Sequence, residues 1–274
     1  MPDFVKQSEA HSQELLQHFL KHQGINPTQS PRELLSQITT SFACLPYENL
    51  SKIVRDDQTS NFEEARRLPK EVLQDFYQLG AGGTCYSLTW TLLQLIRALD
   101  YQAEPILADR RYGPNTHTAL IVWINGIRHL IDPGYLLVEP IPIPRDVIIH
   151  IPTSFNEVEL IPDKTHNRME LKTLQHSQST YRLTYKTDPV DTHQFLAAWD
   201  QSFQFDMMKY PVLSKIIDDK QMYLQKNHLL IRTKGESQRQ EIEPGKMPET
   251  ITTIFGIHPS LVVDALNLLH RKEA

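Results

Sequence analysis

The chain has 274 residues, enough to bury a large core in one domain or two, and 40% hydrophobic with 22% charged residues is an ordinary globular composition. Lys and Arg number 28 against 33 Asp and Glu, a formal charge of -5 that gives no electrostatic footprint for nucleic acid or an anionic membrane. No run of about 18 apolar residues occurs, so no membrane span is expected, and two cysteines, Cys44 and Cys85, make no disulfide scaffold. The first residues are polar and amphipathic without an apolar signal core, and a reducing cytoplasm fits the cysteine usage.

The N-terminal third reads as helical. Between Glu9 and Leu20 the stripe Leu15, Leu16, Phe19 and Leu20 has helical spacing, with Gly24 as a stop. Ser30, Pro31 and Glu33 make a capping box with proline in the first turn, and Leu34, Leu35 and Ile38 then face inward. Leu45-Pro46-Tyr47-Glu48-Asn49-Leu50 reads as a buried polar turn or as plain packing, and a polar loop follows near Asp56 to Asn61. A helix is predicted from Lys70 to Gln78. After the tract Gly80 to Thr84, a broadly apolar helix from Thr84 to Asp100 belongs at the centre of the core.

From Ala103 the period shortens to that of strands. AEPILADR, TALIVWI and IRHLIDP are strand-like, and Asn125-Gly126 marks a two-residue hairpin turn. The segment VEPIPIPRDVIIHIP alternates, but its prolines make it an edge strand or a crossover. Further strands are predicted at Tyr181 to Lys186, Met222 to Gln225 and Leu229 to Thr233. Helices follow at Val190 to Phe203 and Pro259 to Leu269. The expected domains are a helical bundle over 1–83, the Cys85 helix with a β region over 84–188, and a mixed region over 189–274.

Three residues carry chemistry. Cys85 opens an apolar helix after a glycine-rich tract, and His117 and Asp132 lie on the hairpin. If Ile124 pairs with Ile127, paired numbers sum to 251, Asp132 faces Ala119, and His117 shares its face. His129 pairs with Val122 on the other face. Parity therefore selects His117 over His129, although His129 is nearer to Asp132 in sequence. A helix start and an imidazolium favour the thiolate over the thiol, whose ordinary pKa is about 8.5. Asp132 would fix the ring tautomer, and the Cys85 amide is a candidate oxyanion donor. A second donor has no signature in the sequence. Each residue alone also has a plain reading: a core cysteine, a structural histidine, a turn aspartate. No metal site is read, since there is no HExxH or paired CxxC and the 12 histidines are scattered.

With these residues in place the chain resembles the arylamine N-acetyltransferase family. The RGGxC element appears as Ala81 to Cys85, the THxxL-like strand as Thr116 to Leu120, and the DxGF-like element as Asp132 to Tyr135. Leu45 to Leu50 is similar to IPFENL, and Phe255-Gly256-Ile257 to a terminal FGI. The resemblance implies an α+β fold: an N-terminal helical bundle, a central antiparallel β-barrel and a C-terminal α/β lid, with a papain-like thiol triad. It implies Cys85, His117 and Asp132 as catalytic residues. The implied reaction moves acetyl or another acyl group from coenzyme A to an arylamine or related small-molecule amine through a Cys85 thioester. No tightly bound cofactor is implied; acetyl-CoA or another acyl-CoA is a cosubstrate. Amide synthases and thiol hydrolases of the same triad type are the alternatives, with a silent binding scaffold as the third. The chain departs from the pattern at Ala81, where the family has arginine, at Ser87, where it has glutamate, and at Leu136, where it has glycine.

Overall fold

A computed structural model of the chain describes residues 12–163, 165–175 and 178–273. The first expected helix runs over Ser12–His22, and Glu9 to His11 lie outside the described residues. Helix Pro31–Phe42 starts with the predicted capping box, Ser30 N donating to Glu33 Oε2 at 3.0 Å. Of the polar loop expected near Asp56 to Asn61, Asp56 to Gln58 instead end helix Leu50–Gln58, Thr59 to Asn61 form the loop, and a short helix follows at Phe62–Ala65. Leu50 and Ile53 are fully buried against helix Pro259–Glu273, and this packing outweighs the local polarity of Asp56, Asp57 and Gln58. Helix Pro69–Leu79 ends at Gly80, whose φ of 64° is a left-handed cap.

Helix Cys85–Arg97 is the axis of the molecule. Every residue from Cys85 to Ile96 is buried, the polar Ser87, Thr89, Thr91 and Gln94 included. Its Trp90 ring lies 5.3 Å from Phe195, which meets Trp199 edge-on at 5.8 Å. Phe195 and Trp199 belong to helix Thr192–Gln201.

The strands form two antiparallel sheets. Strand β1 is Tyr47–Glu48. The larger sheet uses β2 (Ala103–Arg110), β3 (Gly113–Ile124), β4 (Ile127–Asp132), β5 (Leu137–Pro142), β6 (Ile149–Pro152), β7 (Glu157–Asp163), β8 (Arg168–Gln175) and β9 (Gln178–Lys186). Its order is β5-β4-β3-β2-β9-β8-β7-β6. Successive residues of β3 alternate between two cores: Ala119 and Ile121 face an inner one with Leu183 and Tyr185, and Leu120 and Val122 face the helices.

The expected closed barrel is corrected to a curled open sheet, since β5 and β6 do not pair among the described residues. Both edges come from the proline-rich segment, with Pro140, Pro142 and Pro152 in them. Proline has no N–H to donate to a closing ladder, so these strands stop the sheet rather than close it. Strands β7 and β8 escape sequence reading because their outward faces carry Glu157, Glu159, Glu170 and Lys172.

The second sheet adds β10 (Val212–Ile217), β11 (Lys220–Gln225), β12 (His228–Arg232) and β13 (Ser237–Glu241) in the order β1-β10-β11-β12-β13. Its first strand comes from the N-terminal part of the chain. Asn49 ties the two parts together: its amide donates to the Met207 and Tyr210 carbonyls at 2.6 and 2.8 Å, and its oxygen accepts from Val212 N at 2.8 Å.

Lys52 makes a second tie. It is 5% exposed, donates to Ser202 Oγ at 2.5 Å and lies 4.1 Å from the Phe203 ring centre. Burial pulls its pKa down to about 7 from the usual 10.5. Below pH 7 both folded and unfolded chains hold the proton, and the native state carries the full penalty of a buried ammonium. Between the two pKa values only the unfolded chain holds it, so the penalty is relieved as pH rises. Lys52→Met should therefore raise Tm most at pH 6, and the gain should shrink steadily toward pH 10. Thermal melts across that range check this; a gain independent of pH would show that packing, not desolvation, sets it.

Candidate active site

The loop before Cys85 is held by backbone contact. Glu48 N donates to the Gly83 carbonyl at 3.0 Å, and Gly83 N to the Pro46 carbonyl at 3.3 Å. A Cβ on Gly82 would stand 1.9 Å from the Pro46 oxygen, so only glycine lets the two segments meet. A guanidinium from another segment braces this loop. Buried Arg67 donates to the Gly82 carbonyl at 2.7 Å, to Ser51 Oγ at 2.6 Å and to Asp75 at 2.7 Å. It also lies 3.8 Å from Glu48, which is fully buried and accepts from the Ser51 amide at 2.9 Å and from the Ser51 hydroxyl. The buried polar turn at Tyr47 to Asn49 is thus a polar clamp on the cysteine loop and not plain packing. Sequence reasoning missed Arg67 because no spacing rule links it to Gly82.

The hairpin has the predicted register, Ile124 opposite Ile127 and Leu120 opposite Ile131. His117 and Asp132 meet, with Nε2 and Oδ2 2.6 Å apart and both side chains fully buried. His129 pairs with Val122 and turns its Nδ1 to the Ile127 carbonyl at 2.9 Å. Asp132 accepts two further hydrogen bonds, from Tyr185 Oη at 2.7 Å and from the Tyr135 amide at 2.8 Å. Tyr185 sits beside Ala108, and Ala108 beside His117. The small alanine leaves room for the phenol to reach past it. Tyr185 carries no sequence signal; only the pairing of β2 with β9 brings it there. Burial and the Asp132 charge push its hydroxyl well up, so it stays a donor.

Cys85 comes to His117 across Gly134. A Cβ on Gly134 would lie 2.9 Å from the Cys85 Cβ and 3.0 Å from His117 Cε1. Burial pushes the Cys85 thiol up, but hydrogen bonding to His117 and the charges of His117, Arg110 and Lys52 outweigh it and hold the pKa below the usual value. No side chain caps the helix at Thr84, so the free amides at its start also favour a thiolate. Burial works against a charged His117, yet Asp132 outweighs burial and raises its pKa. Next to this group Leu136 has a φ of 64°, a left-handed backbone that favours glycine and that a leucine takes at some strain.

Arg110 is the unforeseen neighbour. Its Nη2 lies 3.0 Å from His117 Nδ1, the nitrogen not used by Asp132. An arginine donates only, so in this arrangement Nδ1 holds a lone pair and Nε2–H donates to Asp132. A cleft of about 1160 Å³ opens at Arg110 and Gly134, between the two sheets. Its lining carries Arg110, Arg111, Arg182, Lys226, Arg232 and Arg239 against one acid, Asp206. A chain of net charge -5 thus concentrates cations in this cleft. They come from separate strands and loops, so composition hides them. Among the described residues no cluster of His, Cys, Asp and Glu could hold a metal, and no helix is long and apolar enough to cross a membrane.

Comparison with known proteins places this geometry. A family model described as N-acetyltransferase matches residues 33–262. The arylamine N-acetyltransferase of Mycobacterium abscessus superposes with a TM-score of 0.77 at 17% identity, over 93% of this chain and 94% of that one. That of Mycobacterium marinum in complex with CoA gives 0.75 at 15% identity, over 94% and 97%. A Bacillus cereus arylamine N-acetyltransferase described as having a Cys-His-Glu catalytic triad gives 0.68 at 17%, over 89% and 98%; here the carboxylate on the histidine is Asp132. No curated protein matches the sequence. At such identities the superpositions speak for the fold, while the family model spans most of the chain. Taken with the ordered motifs around the buried thiol, they mean that this chain belongs to the arylamine N-acetyltransferase family.

Proposed function

We propose that the protein transfers an acetyl or other short acyl group from acyl-CoA to an arylamine or related amine through a thioester on Cys85. The observation that carries this reading is the buried His117–Asp132 pair, 2.6 Å apart, set against Cys85 at the free start of the central helix. Family membership supports the coenzyme A donor, and the cationic cleft suits its phosphates.

The chemistry runs in two halves. His117 Nδ1 takes the Cys85 proton. The thiolate attacks the thioester carbonyl, and charge on the resulting oxyanion is met by the Cys85 amide. The carbon–sulfur bond to coenzyme A breaks, and its sulfur leaves with the proton from the imidazolium. The amine then attacks the Cys85 thioester and loses a proton to His117. The new amide departs as the Cys85 sulfur is released, free to be protonated again. Asp132 holds the ring and its charge throughout and carries no proton itself.

Acetyl-CoA should add one acetyl mass to the parent protein, on the peptide holding Cys85, and none to Cys85→Ala. Label on Cys44, the exposed thiol, would remove the assignment. His117→Ala should slow turnover by about 100-fold or more, while His129→Ala should change it little; equal losses in two folded variants would contradict these roles. The raised His117 pKa and the lowered Cys85 pKa both shift the pair toward imidazolium and thiolate. Asp132→Asn removes the charge that raises His117, so the thiolate should persist less far toward low pH. Iodoacetamide alkylation of Cys85 against pH should show its inflection shifted upward in this variant; superimposable profiles with unchanged transfer would exclude Asp132.

A further inference from the structure

The Arg110 guanidinium has no carboxylate partner among the described residues. Its chain neighbour Asp109 points to the other face of β2, where it meets Lys186 at 2.8 Å, Arg168 at 3.6 Å and the Asn115 amide at 2.9 Å. Asp132 is already filled by His117, Tyr185 and the Tyr135 amide. Arg110 Nη1 finds only the Tyr112 hydroxyl, at 3.1 Å, and Nη2 only His117 Nδ1, at 3.0 Å. Its Nε is buried and has no hydrogen-bond partner. A break in the β2–β3 register between Ala108 and Arg110 aims the side chain here.

Nε–H and Nη2–H lie along one edge of a guanidinium, the fork that carboxylates take with two parallel hydrogen bonds. In Arg110 one tine is empty and the other is on an imidazole nitrogen. A carboxylate entering from the cleft would fill the first and replace His117 on the second. We propose that Arg110 is a specificity-determining residue that binds a carboxylate carried by the substrate beside its reacting carbon. The idea rests on reading Cys85 as the acyl acceptor. It also says which anion is meant. Arg110 touches the base itself, so the group it reads lies within a few atoms of the reacting carbonyl. The phosphates of coenzyme A are separated from the thioester by the whole pantetheine arm and belong farther out among the cleft's other cations. The carboxylate is therefore on the acyl group or on the amine.

The test uses the whole enzyme and probe pairs that differ in charge. One arm compares para-aminobenzoate with para-aminobenzamide as acceptors of acetyl from acetyl-CoA. The other compares succinyl-CoA with butyryl-CoA as donors that load Cys85. In at least one arm the parent should favour the charged member in kcat/KM by about 10- to 100-fold, the scale of a charged hydrogen bond. Arg110→Gln and Arg110→Lys should both reduce that ratio to near one. Lysine keeps the charge but not the fork, so a packing or plain charge role would be rescued by it and a fork would not. A preference retained in Arg110→Lys, or no preference in either arm of the parent, overturns the proposal. Benzoate binding by calorimetry to Cys85→Ser, which transfers nothing, separates the two readings. Binding lost with Arg110, in a protein that moves no acyl group, would sink the acyltransferase and leave the carboxylate site. Acyl transfer with neither preference nor binding would do the reverse.

Discussion

One buried carboxylate organises the site. Asp132 is fully buried and accepts from a histidine on β3, a tyrosine on β9 and the backbone of the Pro133–Tyr135 turn. An ionised group in that position is tolerable only because its oxygens are met by donors. Each donor comes from a different element, so the site forms only when β3, β4, β9 and the turn are all in register. The carboxylate fixes the ring of His117, and the turn it caps brings Gly134 against Cys85. Sheet geometry and site chemistry are thus one constraint.

The cysteine side of the site is held by a different device. Gly82 and Gly83 lie against Pro46 and Glu48, and Arg67 spans the gap to Ser51, Glu48 and Asp75. The family pattern puts the guanidinium next to the glycines in sequence. This chain puts alanine there and brings the guanidinium in from the turn before helix Pro69–Leu79. A buried carboxylate such as Glu48 demands a partner but not a particular address along the chain.

The two readings of charge differ by location. The whole chain is mildly acidic, yet the cleft beside Arg110 is lined by arginines and a lysine. Net charge governs solubility and long-range association; a cleft's charge governs what enters it. Arg110 stands where the two scales meet, lining the cleft and in contact with His117 Nδ1. It links the state of the cleft to the state of the imidazole through a single hydrogen bond.

The helices with clean caps and stripes, the Asn125-Gly126 hairpin and the choice of His117 over His129 were all determined by the sequence, because turn chemistry and strand parity act over a few residues. Cys85 at a helix start was legible for the same reason. Proline marked both edge strands, but whether the sheet closed was a matter of its whole curvature, and it stays open. Helix Leu50–Gln58 was hidden because its stability comes from packing on Pro259–Glu273, far away in sequence. Tyr185, Arg67 and Arg110 were unreadable for a related reason. Each acts through a partner on another strand or loop, at a distance set by sheet pairing and burial rather than by spacing along the chain. Local interactions decide which elements form and which way their side chains alternate; only the packed structure decides which buried charges meet.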